Sequence, residues 1–245
     1  MDSDSTVALV TGGSRGIGAA VALRLAEDGV DVAITYVSDA RAAAEVVGKV
    51  EALGRRALAV RADAGDPAAA GAVVERVVAE FGRIDVLVNN AGVGVLGPLA
   101  EPAGADVERV LAVNVRGVFL TTQAAAAHLG SGGRIITIGS CMTQRVPGPG
   151  GTLYAMSKSA LTGLTKALAR ELGGRGITAN IVHPGPVDTD MNPADGPYAG
   201  PQAAMTALGR FGAPREVAAL VSFLAGEEAA YVTGAEFAVD GGHAA

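Results

Sequence analysis

Cysteine is almost missing: Cys141 stands alone, so no disulfide can form within the chain and a reducing compartment is the expected setting. An excess of basic charge is missing too. The formal charge is -6, which argues against nucleic acid or an anionic membrane as principal partner, since both select a basic face. No apolar run reaches membrane-spanning length, and the start Met1-Asp2-Ser3-Asp4 is acidic, which is wrong for a signal peptide. A cytoplasmic protein is expected. Only three histidines occur, His128, His183 and His243, far apart and near no cysteine or carboxylate cluster with ligand spacing, so no metal site is expected. Ser140 lacks a Gly-x-Ser-x-Gly elbow, which leaves hydrolase chemistry unsupported. Repeats of the solenoid kind and interdomain linkers are absent as well.

What is present is apolar residue in quantity, 49% over 245 residues, enough to bury a substantial core in one α/β unit. Strand-like runs alternate with helix-like ones. Strands are predicted at Val7–Val10, Val32–Val37, Ala57–Val60, Ile84–Val88, Ile135–Ile138, Ile177–Val182 and Glu236–Val239. Helices are predicted at Ala19–Glu27, Ala40–Leu53, Ala68–Phe81, Asp106–His128, Tyr154–Leu172 and Pro214–Ala225. That alternation predicts a single-domain, Rossmann-type, doubly wound parallel sheet of about seven strands, with helices on both faces.

Three stretches carry chemistry. Thr11-Gly12-Gly13-Ser14-Arg15-Gly16-Ile17-Gly18 links the first strand to the first helix, where glycines let a phosphate approach the backbone and the helix dipole attracts the anion. The second strand ends in Tyr36-Val37-Ser38 without the carboxylate that would hold the ribose hydroxyls of NAD. Arg15 is suited to a 2′-phosphate, with Tyr36 and Ser38 as hydroxyl donors or ordinary strand-end polarity; NADPH is favoured, and NADH is possible but disfavoured. Asp39 either opposes that phosphate or caps the following helix. Asp63 either accepts from an adenine amino group or caps the helix beginning near Pro67. Asn114 is a polar residue among valines, read as a satisfied buried amide or as a site residue. In Tyr154-Ala155-Met156-Ser157-Lys158, helical spacing puts phenol and ammonium on one face. A phenol titrates near ~10, and a fixed cation beside it brings it toward working range as a proton donor. From Pro184 to Pro201 the chain carries five prolines, and the 44 residues that follow are too few for a second core, so the segment from about 187 to 206 reads as a substrate lid. Cys141 is either a redox-sensitive thiol or strand-end packing.

Taken in order, Thr11-Gly12-x-x-x-Gly16-x-Gly18, Asn89-Asn90-Ala91-Gly92, Asn114, Ser140, Tyr154-x-x-x-Lys158 and Pro184-Gly185 resemble the short-chain dehydrogenase/reductase family over nearly the whole chain. The resemblance implies a catalytic group of Asn114, Ser140, Tyr154 and Lys158: Tyr154 donates a proton to a carbonyl oxygen, Ser140 holds that oxygen, Lys158 lowers the phenol pKa and anchors the nicotinamide ribose, and Asn114 holds a water. It implies dinucleotide contacts from Gly12, Ser14, Arg15, Gly16, Ile17, Gly18, Tyr36, Ser38, Asp63, Ala64, Asn90, Ala91, Gly92, Tyr154, Lys158, Pro184, Gly185, Val187 and Thr189. The pattern is similar to NADPH-using 3-oxoacyl reductases and polyhydroxynaphthalene reductases. It departs at Val37, where many NADPH users place a basic residue, and the 14-residue step from Ser140 to Tyr154 looks more like the naphthol reductases. The expected activity is NADPH-dependent reduction of a ketone, such as a 3-oxoacyl thioester, a cyclic or aromatic ketone or another small carbonyl. The alternative is a catalytically silent NADP(H)-binding sensor or scaffold. Family likeness also implies a homotetramer, with Ala160, Leu161, Leu164, Leu168 and Ala169 as an apolar helix face that core packing explains equally well.

Overall fold

The computed structural model describes residues 5–245; the acidic start Met1–Asp4 lies outside the described residues. Seven parallel strands form one sheet in the order β3-β2-β1-β4-β5-β6-β7. They are β1 (Val7–Val10), β2 (Asp31–Tyr36), β3 (Ala57–Arg61), β4 (Val86–Asn89), β5 (Arg134–Ile138), β6 (Thr178–Pro184) and β7 (Glu236–Val239). Alternate side chains leave opposite faces of each strand, which explains why the strands read as continuous apolar runs. Ala8, Val10, Val86, Val88, Ile136 and Ile138 pack on one face beneath α1 (Gly16–Glu27) and α8 (Pro214–Ala225). Val7, Leu9, Leu87 and Ile135 pack on the other with α3 (Pro67–Phe81). The remaining helices are α2 (Ala40–Ala52), α4 (Gly104–Leu111), α5 (Val118–Ala126), α6 (Thr152–Leu172) and the short α7 (Ala199–Ala204).

Strand order reverses between β1 and β4, so the turns that follow these two strands open a crevice at their carboxyl ends. The glycine loop and Asn89–Gly92 line it.

One expectation is corrected. The helix predicted over Asp106–His128 is interrupted: α4 stops at Leu111, a π-helical turn covers Ala112–Gly117, and α5 resumes at Val118. The wider turn carries Asn114 and brings Gly117 so close to the chain that an added Cβ would lie 2.1 Å from the Ala64 carbonyl oxygen. The proline-rich segment has local structure of its own. It pairs Val187 with Gly212, turns between Thr189 and Asn192, and contains α7. Among the described residues, no helix is long and apolar enough to cross a membrane.

Candidate active site

The glycine loop is fixed from behind and open in front. Thr11 Oγ1 accepts from the backbone N–H groups of Asn90 and Ala91, both at 3.0 Å, and Thr35 Oγ1 accepts from Gly12 N at 2.9 Å. Asn90 Nδ2 donates to the Thr11 and Gly12 carbonyls at 2.9 and 3.0 Å. Gly12 and Gly16 adopt positive φ, 65° and 55°, where a side chain is strained. Gly18 is required by contact: a Cβ there would sit 2.3 Å from the Gly12 carbonyl oxygen. No side chain caps the N-terminus of α1, and its first turn holds no acid. Its free N–H groups, with the helix dipole, therefore fit a phosphate group.

At the adenosine end, Asp39 caps α2 by accepting from Ala42 N at 2.9 Å, so its carboxylate is committed to the backbone. Asp63 is not the cap of α3; Asp66 is, accepting from Ala68 N. Asp63 instead pairs with Arg109 Nη1 at 2.9 Å and accepts from Gly65 N at 2.8 Å. The Arg109 hydrogen bond holds its carboxyl below the usual range. Ala64 and Ala91 line a small cavity beside the same turn. Arg15 is exposed and lies 3.6 Å from Asp190. A basic group that the sequence reading missed stands at the tip of β2: Arg61 donates through Nε to the Val37 carbonyl at 3.1 Å, and Ser38 is exposed beside it. Strand pairing of Tyr36 with Arg61 brings it there, a register invisible before the sheet order is known.

Tyr154 and Lys158 do share a face of α6. The ammonium lies 5.9 Å from the phenol ring centroid and donates to the Ile138 carbonyl at 2.9 Å. Gly92 and Gly94 face these two side chains; added Cβ atoms would lie 3.3 Å from Lys158 Nζ and 3.8 Å from Tyr154 Cδ2. Burial pushes Lys158 down to about 8. Burial raises the Tyr154 phenol, and a hydrogen bond with Ser140 opposes that rise. In the free protein, then, the phenol stays protonated at neutral pH, and the group that opposes the rise is Ser140 and not, as expected, Lys158. Ser140 caps a short 3-10 turn, its Oγ accepting from Met142 N at 3.2 Å, which leaves its O–H to donate.

Asn114 is fully buried and clamps one backbone position: Oδ1 accepts from Val93 N and Nδ2 donates to Val93 O, both at 2.9 Å. Its other amide proton goes to Ser157 Oγ at 3.0 Å, and Ser157 donates to the Tyr154 carbonyl at 2.8 Å. Only one lone pair of Oδ1 is left for a water. Cys141 is buried and its thiol is pushed up to about 11 by burial, which suits packing and not redox chemistry.

Pro184 ends β6, and Gly185 packs so tightly that a Cβ would lie 2.6 Å from Asp240 Cα. Val187 is buried, and the Thr189 methyl lies close to where a Gly16 Cβ would be, 3.3 Å away. The start of the proline-rich segment thus rests on the glycine loop, with the Arg15–Asp190 pair beside it. Among the described residues no group of three His, Cys, Asp or Glu could hold a metal ion. Thr11, Thr35 and Ser157 escaped the list of site residues drawn from the sequence. Each is a hydroxyl at a strand end or helix start, a signal too common to single out.

A family model described as enoyl-(acyl carrier protein) reductase matches residues 12–244. Over 95% of its length the chain is 43% identical to 94% of the cyclic-di-GMP-binding biofilm dispersal mediator protein of Escherichia coli K12. It is 38% identical to versicolorin reductase 1 of Aspergillus parasiticus, covering 98% of this chain and 96% of that one. A 3-oxoacyl-[acyl-carrier-protein] reductase of Synechocystis is 41% identical, covering 96% of each chain. Among solved structures, a short chain dehydrogenase from Burkholderia cenocepacia in complex with NADP superimposes with TM-score 0.97 at 55% identity, covering 98% of each chain. A blue fluorescent protein from a metagenomic library in complex with NADPH gives TM-score 0.97 at 54% identity over 100% of both chains.

Proposed function

We propose that this chain, which belongs to the short-chain dehydrogenase/reductase family, is an NADPH-dependent oxidoreductase that reduces a ketone to a secondary alcohol. The single observation that carries the reading is convergence: the Tyr154 and Ser140 hydroxyls and the Lys158 ammonium meet beside the glycine-loop crevice. Bound NADPH supplies the hydride. The chain's own residues handle the oxygen and the proton. Ser140, which accepts from Met142 N through one lone pair, keeps its O–H to donate to the carbonyl oxygen and orient it. Tyr154 passes its proton to that oxygen as negative charge builds there, and a phenol that stays protonated at neutral pH is the right state for reduction. Lys158, cationic near neutral pH, offsets the phenolate left behind and is free to hold a ribose hydroxyl. Asn114 acts chiefly by fixing Val93 and Ser157, and its remaining lone pair holds the water that returns the proton.

Preference for NADPH rests on Arg15 in the glycine loop, beside Asp190, and on Arg61 beside Val37 at the tip of β2, guanidinium groups suited to a 2′-phosphate. The segment from about 187 to 206 serves as the lid over a small-molecule carbonyl. The protein is a single domain, cytoplasmic, and a homotetramer. Of the apolar helix face read from the sequence, Leu161 is buried with Val118 and Ile181, while Ala160 is exposed and Leu164, Leu168 and Ala169 are half-buried, so part of that face is open to a partner copy. Met156 and Phe119, both half exposed, are further apolar groups those helices offer a partner copy.

A second reading comes from the relative named for cyclic-di-GMP binding. It makes this chain a nucleotide sensor, and the intact set of Asn114, Ser140, Tyr154 and Lys158 favours the reductase. The test is a panel of ketones assayed with NADPH and NADH side by side, with binding followed by NADPH emission. The expected result is NADPH oxidation by at least one ketone, an affinity for NADPH that falls about tenfold in Arg15→Ala and in Arg61→Ala, and unchanged NADH affinity. Absence of turnover throughout, with cyclic-di-GMP displacing NADPH, would replace this reading by the sensor.

A further inference from the structure

The buried imidazole of His183 is used by nothing in the mechanism above, yet it touches the serine that is. It lies on β6, fully buried, and its Nδ1 is 3.2 Å from Ser140 N with the amide hydrogen directed at it. An N–H can only donate, so Nδ1 must be the unprotonated nitrogen. The ring proton is then on Nε2, which faces Glu236 Oε2 at 3.3 Å. Thr143 Oγ1 sits between two acceptors, the Ser140 carbonyl at 2.9 Å and Nδ1 at 3.2 Å, and closes the turn. Glu236, at the start of β7, is fixed in turn from α6: Lys166 Nζ lies 2.7 Å from Oε1, and Thr162 Oγ1 donates to Oε2 at 3.2 Å. Thr162 and Lys166 follow Lys158 at successive four-residue steps on one stripe of the helix that carries Tyr154. Gly139 makes room, since a Cβ there would lie 2.4 Å from Nδ1.

We propose that His183 is a positioning residue of the reductase site: through Glu236 it ties the Ser140 turn to the helix bearing Tyr154 and Lys158, and it does so only as the neutral Nε2–H tautomer. The proposal rests on the reductase reading for its kinetic consequence. Its geometric content stands apart from that reading. Protonation would set Nδ1–H against the Ser140 N–H, donor against donor, and release the turn. Besides Glu236 and Lys166, the charged group facing the ring is Lys158, whose cation disfavours a second positive charge nearby. Burial outweighs both Glu236 and the Ser140 backbone and pulls the ring below its ordinary value, so the neutral form prevails at neutral pH; it is the Ser140 N–H aimed at Nδ1 that makes the hold fail on acidification.

The experiment is single-turnover hydride transfer from NADPH across pH, with NADPH affinity measured in parallel. His183→Leu, which removes the acceptor, is expected to slow hydride transfer by about 10- to 100-fold and leave NADPH affinity within about threefold. His183→Asn restores an acceptor near the Nδ1 position, and is expected to recover most of that rate at pH 7.5 while losing the acid fall governed by the ring. Glu236→Gln removes the charge that favours imidazolium, so the acid fall moves to lower pH. Full rate in His183→Leu, equal loss in the Leu and Asn variants, or the same acid fall in wild type and His183→Asn would each overturn the proposal. Should the Leu variant not fold, Asn and Gln decide. Should the wild type reduce no carbonyl, the reductase reading fails by itself. Nitrogen NMR of the NADPH-bound protein still decides the geometry: a Nε2–H ring and a Ser140 amide that titrates with it uphold the contact, and a Nδ1–H ring overturns it.

Discussion

The two walls of the crevice are built on opposite terms. On the cofactor side, Thr11, Thr35 and Asn90 spend their polar atoms on the loop backbone, and Gly12, Gly13 and Gly18 are packed to the limit; a Cβ on Gly13 would lie 2.5 Å from Ile34. On the substrate side, the 141–151 turn and the 187–206 segment present Val146, Met191 and Tyr198 to solvent, with Leu96 and Leu99 nearby in sequence to the Asn89–Gly92 turn. The rigid wall serves a ligand of fixed shape. On the proposed function the looser one would adapt to its substrate, so its side chains single out no particular ligand.

That contrast can be broken from either side. Short of the catalytic tyrosine itself, the largest effect is expected at the boundary, in Lys158→Met: turnover should fall at least ~100-fold, while the free protein gains stability. Lys158 titrates at about 8 when folded, against 10.5 when exposed, so between those pH values the unfolded chain holds more protons and stability climbs with pH. Removing the ammonium removes a penalty on the order of 3 kcal/mol at neutral pH, less the hydrogen bond to Ile138. A melting temperature raised by roughly 2–6 °C at pH 7, with a flatter rise from pH 8 to 10.5, is the expected scan. A fall would show that the buried cation is not a liability.

Next comes Gly18→Ala, whose methyl must displace either Gly12 or the start of α1. It is expected to cost about 1–3 kcal/mol of stability and at least ~10-fold in NADPH affinity, read by thermal melting and titration. Affinity within twofold of wild type would mean that the loop is softer than its packing implies. The smallest effect belongs to the open wall. Met191→Ala with Tyr198→Ala should change KM for a ketone by about 2- to 10-fold, with melting temperature and NADPH affinity unmoved. A shift in NADPH affinity would join the two walls into one unit.

How much of this was legible in the sequence follows the same line. Strand runs were readable because a sheet covered on both faces needs apolar residues at every position, as in Val7–Val10. Tyr154 and Lys158 were readable because four-residue spacing survives any packing of the helix. The π turn at Asn114 was not, because it is set by where Ala64 and Val93 lie, residues distant in the chain. Arg61 and His183 were hidden for the same reason: β3 must lie beside β2, and β6 beside β5, before either side chain has a neighbour worth naming. Of the two roles the sequence leaves open for Asp63, capping falls instead to Asp66, which stands closer to Pro67.

The most direct test is Tyr154→Phe, measured by single-turnover NADPH oxidation with a ketone that the wild type reduces, beside NADPH affinity. Hydride transfer slower by about 10³-fold or more, with affinity within about threefold, is the expected result. Turnover within tenfold of wild type would mean that the proton comes from elsewhere, and the account of this site would be wrong.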